Sequence, residues 1–204
     1  MLKPTAKTKL LDAAIETVRA QGYAATSIDE LCRKAGVTKG AFFHHFESKD
    51  ALAVAAANHW SEMTGAMFAA APYHAHKDPL DRILGYIDLR RELLRGAPAE
   101  FTCFVGTTVQ ESFATNDGIR AACEASIFGH AATLADDIAA AQRQYRVKGA
   151  WTPMSLALHT QAVLQGAFIL AKANGGAAVA LDSIDHLRRY IELLFNGSKK
   201  ELMQ

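Results

Sequence analysis

The residues best placed to do chemistry lie in one segment, GVTKGAFFHHF at 36–46. At helical spacing Phe42 and Phe46 fall four apart and share a face with Val37. Lys39 and Phe43 lie together on another face, and Gly40 pairs with His44. One phenylalanine pair can therefore anchor the segment while Phe43 faces outward. The outward set suits a duplex. Lys39 supplies a cation for phosphate or guanine, Gly40 and Ala41 let a backbone approach closely, and His44 can donate or accept at a base edge. A packed helical hairpin is the alternative reading of the same residues.

Catalytic arrangements do not assemble elsewhere. The chain has no G-x-S-x-G, no H-E-x-x-H, no phosphate-cradling glycine loop and no C-x-x-C, so no enzyme and no cofactor is expected. The carboxylates of Asp136-Asp137 and of Asp81 and Asp88 read as solvent-facing. His74 and His76 lie in a solvated linker between Pro72 and Pro79 without a third ligand, so no metal is expected. The three cysteines (Cys32, Cys103 and Cys123) cannot all pair, which favours a reduced, cytoplasmic setting. Cys32 and Cys123 sit on apolar stripes and read as structural. Cys103, in FTCFVGTTVQE, is the candidate for redox or electrophile sensing.

The elements that must position these residues are helices. Leu10, Leu11, Ala14, Ile15 and Val18 recur at helical spacing until Gly22. Ser27 opens a capping box with Glu30, and Gly36 closes that helix. Thr38 caps the next helix and Ser48 the one after, which runs towards Pro72. Asp78-Pro79 and Thr152-Pro153 pair a cap with a proline in the first turn. A segment at 100–113 ends at Thr-Asn-Asp-Gly, and a long helix from Ile119 carries Cys123, Ile127, His130, Leu134, Ile138 and Tyr145. A last helix from Ser183 stops at Asn196-Gly197. No strand pattern survives, so the fold class is all-α, with about nine helices.

Half of the 204 residues are hydrophobic and 21% are charged, as in a folded globular chain. The net charge of +1 excludes a polycation. Residues 1–52 nevertheless carry eight Lys/Arg against six Asp/Glu, an excess of +2 at the end that bears Lys39 and His44. The N-terminus lacks a signal-peptide pattern, and the apolar run 162–173 is too short to span a bilayer, so no membrane partner is expected.

The run from Leu10 to Leu52 resembles the DNA-binding domain of the TetR family of bacterial transcriptional regulators. The matching residues are the alanines at 13–14, Gly22, TSIDELCRKAGVTKGAFFHHF at 26–46 and SKDAL at 48–52. The resemblance implies a three-helix DNA-binding domain over 4–64, with its helix-turn-helix at about 27–46. It also implies a helical effector-binding and dimerisation domain over 65–204. Carried over by position, it assigns DNA contacts to Thr26, Ser27, Thr38, Lys39, Gly40, Phe43 and His44, and a phosphate contact to Lys49. Tyrosine is usual in the family where this chain has Phe43, and the tyrosine hydroxyl commonly meets a phosphate.

The implied partners are double-stranded operator DNA, an unidentified small-molecule effector and a second copy docked through the last two helices. Trp60, Met63, Met67, Phe104, Thr108, Ile127, His130, Leu134, Leu164 and Phe168 are the candidate effector-contacting residues. His130 is the most polar position among them. The function expected is a repressor released from a palindromic operator when the effector binds. A regulator sensing oxidants through Cys103 and a helical protein-binding adaptor are the alternatives.

Overall fold

The computed structural model describes residues 4–202, with side chains to Phe195. Ten α-helices make up the described residues, without a strand among them. They are α1 (Ala6–Gln21), α2 (Ile28–Ala35), α3 (Lys39–His45), α4 (Lys49–Ala69), α5 (Pro79–Glu92), α6 (Pro98–Phe101), α7 (Phe104–Ser112), α8 (Asp117–Gln144), α9 (Pro153–Asn174) and α10 (Ala178–Leu202). A 3₁₀ turn at Pro72–Ala75 precedes α5.

Three differences from the sequence reading have local causes. The segment expected at 100–113 is two helices, because Cys103 is extended and its Sγ accepts from Gly106 N–H at 3.4 Å, starting α7 afresh. The last helix begins at Ala178 and continues to Leu202, so Asn196-Gly197 does not end it. The apolar run 162–173 belongs to α9, which at 22 residues is long and apolar enough to cross a bilayer by length and composition. That helix buries Leu156, Ala157, Leu164, Ala167, Phe168 and Ala171 inside the fold.

Two compact units are present. The first comprises Met1–Ala66 with Thr102–Ile127, and the second Met67–Phe101 with Phe128–Gln204. The division between the units falls after Ala66, inside the continuous helix α4, and Thr102–Ile127 belong to the first unit. The core of the first unit gathers Leu10, Ile15, Leu31, Phe42, Leu52, Phe104, Ile119 and Cys123. That of the second gathers Ile83, Tyr86, Ile87, Ile138, Leu164, Ile184 and Phe195, all nearly inaccessible.

Candidate nucleic-acid interface and effector region

Capping chemistry sets the N-terminal helices. Ser27 Oγ accepts from Glu30 N–H at 3.2 Å and Thr38 Oγ1 from Ala41 N–H at 3.1 Å, satisfying donors that a helix start leaves open. Between them Gly36 turns the chain at φ 64°, a left-handed conformation costly for a residue with a Cβ. Helices α2 and α3 both pack on α1.

Burial divides α3 as its spacing predicts. Phe42 is fully buried and Phe46 nearly so, their rings 5.9 Å apart. Phe43 is 52% exposed, and Thr38, Lys39, Gly40, His44 and His45 are exposed with it. Complete burial of one phenylalanine contributes about 1.5–3 kcal/mol, enough to hold a seven-residue helix that cannot persist alone. Lys39 Nζ sits 2.8 Å from Asp29 on α2, an exposed pair from which the ammonium is easily drawn to a phosphate. That hydrogen bond, with the Asp29 charge, raises the Lys39 pKa.

Three of the other expected contact residues differ in setting. Ser27 is exposed beside the outward face. Thr26 is only 2% exposed, and its hydroxyl donates to Gly22 C=O at 2.7 Å, so its side chain is spent on the α1–α2 turn. Lys49 is half-buried, and its ammonium donates to Tyr23 C=O at 3.1 Å and Thr26 C=O at 3.0 Å. The same ammonium stands 4.3 Å from the Tyr23 ring centroid. Lys49 thus ties the first turn of α4 to the turn before α2. Beside it the Tyr23 hydroxyl bonds to Asp50, and burial with that bond raises the phenol's pKa.

The ten candidate effector residues fall in both units. Trp60, Met63, Phe104, Thr108 and Ile127 lie in the first. There Phe104 is fully buried, and the buried Thr108 hydroxyl donates to Phe104 C=O at 2.9 Å. Trp60 carries the Arg19 guanidinium at 5.1 Å, while Met63 is exposed. Cys103, also in this unit, is half-buried; burial and the nearby Cys103 thiol push the Cys123 thiol up to about 12.

Met67, His130, Leu134, Leu164 and Phe168 lie in the second unit. Met67 is exposed, and Leu134, Leu164 and Phe168 are buried core. His130 belongs to a polar cluster whose other members the sequence reading did not single out. Its Nε2 stands 3.0 Å from the Tyr86 hydroxyl and 2.9 Å from Arg90 Nη2. Arg90 Nε donates to the Tyr86 oxygen at 2.9 Å, and Gln161 Nε2 donates to the same oxygen at 3.0 Å. Phe68 closes one side, 4.7 Å from the His130 ring and 4.3 Å from the Arg90 guanidinium carbon. Burial, reinforced by the Arg90 charge, lowers the His130 pKa to about 3, so the imidazole is neutral at ordinary pH. Tyr86 and Arg90 at i, i+4 on α5, and a glutamine inside the apolar α9, were the available signals.

One further expectation about a polar residue is corrected in this unit. Asp137 is not solvent-facing: it lies within 2.7 Å of Arg82 Nε, and its side chain is 17% accessible. His74 and His76 are exposed in the stretch before α5, where the buried Tyr73 and a 3.0 Å contact of His74 Nε2 with Phe68 C=O hold the 3₁₀ turn.

A capped pair of short helices on a third, with an exposed face on the second of the pair, defines a helix-turn-helix head. The N-terminal head belongs to the TetR family: the family described as "Bacterial regulatory proteins, tetR family" matches residues 10–56. The chain is similar to the transcriptional regulator SrpR of Pseudomonas putida, 46% identical over 41 residues, covering 20% of this chain and 19% of that protein. It is 27% identical over 113 residues to the transcriptional regulator AcuR of Cereibacter sphaeroides, covering 55% and 52%. The chain thus spans between about a fifth and about half the length of these curated relatives. Among solved structures, a TetR transcriptional regulator from Chloroflexus aurantiacus matches with TM-score 0.79 at 27% identity over 91% of this chain and 93% of that one. A TetR-family regulator from Agrobacterium tumefaciens shares the fold with TM-score 0.80 at 19% identity, covering 91% and 96%.

Proposed function

We propose that the chain is a cytoplasmic DNA-binding transcriptional regulator, a repressor that a small molecule releases from a palindromic operator. The observation that carries this reading is the outward face of α3. Lys39, Gly40, Phe43 and His44 are exposed together on a helix whose opposite side is sealed by Phe42 and Phe46. Such a face, held on a fixed helix, supports reading of a major groove. Thr38 and Ser27 flank it at the two helix starts, where backbone N–H groups favour phosphate.

A homodimer through α9 and α10 would supply the second reading head. Ile169, Leu170, Tyr190 and Leu193 on these helices are exposed, the last by 74%, which supports docking of an equivalent face. Release follows from α4, one unbroken helix from Lys49 to Ala69. An effector that favours one placement of its C-terminal end alters the placement of its first turn, and with it the separation of the two heads.

A Lys39→Ala/His44→Ala protein is expected to lose at least a hundredfold in DNA affinity by gel shift while keeping the helical circular dichroism of the parent. Undiminished binding by that variant removes the assignment. A salt response is equally telling: affinity that barely changes between low and physiological salt would favour the protein-binding adaptor.

A further inference from the structure

The cluster in the second unit has a donor surplus. Arg90 carries five N–H donors, of which one on Nε and one on Nη2 are used, so three find no protein acceptor among the described residues. Its charge is also unmatched. Arg82, Arg91 and Arg188, in the same unit, each meet an aspartate within 3.0 Å, at Asp137, Asp185 and Asp88 respectively. Among the described residues Arg90 meets only the Tyr86 hydroxyl, His130 Nε2 and the rings of Phe68 and Tyr86.

The acceptors present are already crowded. The Tyr86 oxygen receives both Arg90 Nε and Gln161 Nε2, which fills its two lone pairs, so its own proton is directed at His130 Nε2. That single nitrogen lone pair also faces Arg90 Nη2. Two donors therefore compete for one acceptor, beside a half-buried cation with free N–H groups. A partly desolvated guanidinium without a carboxylate is costly to keep unless something else supplies the charge.

We infer that Arg90, with Tyr86, His130 and Gln161, is a binding site for the carboxylate of a small organic acid. The inference deepens the effector reading proposed above and rests on it only for its regulatory meaning. A carboxylate is acceptor-only and planar, and it meets a guanidinium fork through two parallel hydrogen bonds. The site offers one positive charge and a neutral imidazole, which matches a monoanion better than the dianion of phosphate. Phe68, Tyr73 and Tyr86 form a buried aromatic wall behind the fork, with Tyr86 5.6 Å from Phe68 and 6.0 Å from Tyr73 between ring centroids. Phe68 also lies on the last turn of α4, so a ligand that draws Arg90 off its ring acts directly on the helix that begins at Lys49.

The test uses the full chain without DNA. Straight-chain monocarboxylates from acetate to decanoate, benzoate and phenylacetate are titrated by calorimetry and thermal denaturation, each beside its primary amide and beside inorganic phosphate. At least one acid is expected to bind ten times or more tighter than its amide, with phosphate weak. Arg90→Gln is expected to weaken that acid at least thirtyfold, and Arg90→Lys about tenfold, because the charge remains but the fork is lost. Should Arg90→Gln not fold, Arg90→Lys alone decides. Failure of every acid, equal binding of acid and amide, or unchanged affinity in a folded Arg90 variant overturns the site. Preference for phosphate also overturns the carboxylate assignment. Gel shifts run separately keep the two readings apart, since acid binding with no DNA binding sinks the regulator and spares the site.

Discussion

The outward face of α3 and the cluster around Arg90 are both polar, and they are built in opposite ways. On α3, the proposed contact side chains come from one helical stretch and are left exposed, with Phe42 and Phe46 as their buried anchors. Around Arg90, the side chains come from α5, α8 and α9, with bonded partners 40 to 75 residues apart in sequence, and they bond to one another inside the fold while Arg90 keeps donors unused. A surface that reads a large rigid partner needs outward groups on a fixed rod. A site that takes a small molecule needs inward groups whose hydrogen bonds are incomplete without it.

This contrast can be broken most forcefully at its anchor. Phe42→Ala should cost about 3–5 kcal/mol of stability, because a fully buried ring is removed. DNA binding should fall with it. Phe43→Ala, at a position 52% exposed, should leave the melting temperature within a degree or two. Equal losses in thermal melts of the two variants would mean that α3 is not divided as described.

The inward cluster should show itself in acid. The unfolded chain protonates His130 near its ordinary value of 6.5, whereas the folded chain, where burial and Arg90 oppose the charge, does so only near about 3. The stability held by the neutral imidazole is therefore complete above pH 6.5 and declines as the pH falls towards 3. The decline reaches about 2 kcal/mol by pH 5. Arg90, Tyr86 and Phe68 are the groups that face the ring. His130→Gln should lack this decline in urea titrations between pH 7 and 5, and an identical decline in the variant would assign it elsewhere.

The smallest effect sharpens the outward face. Phe43→Tyr restores the hydroxyl usual in the family and is expected to tighten operator binding about tenfold through one bond to a charged phosphate. No change in a gel shift would mean that this position does not approach the backbone.

The same contrast explains what could be read from the chain. Ser27, Gly36 and Thr38 punctuate α2 and α3 through bonds spanning three or four residues, so the head was legible from spacing and turn chemistry alone. The inward turn of Lys49 was not, because its acceptors at Tyr23 and Thr26 lie 26 and 23 residues away. His130 stood out as a polar interruption of an apolar stripe, but its meaning depends on Arg90 and Gln161, which no local pattern links to it. The pairing of Asp137 with Arg82 was hidden for the same reason. The break between α6 and α7 was missed because a cysteine supplies the cap, a role that residue type rarely fills.

The central claim is that the outward face of α3, doubled by symmetry, reads a palindrome. Selection of tight binders from a pool of random duplexes tests it most directly. The account predicts enrichment of an inverted repeat with half-site centres about one helical turn, roughly 34–36 Å, apart, and its loss with Lys39→Ala/His44→Ala. A pool that stays random, or a motif enriched equally by that variant, would contradict it.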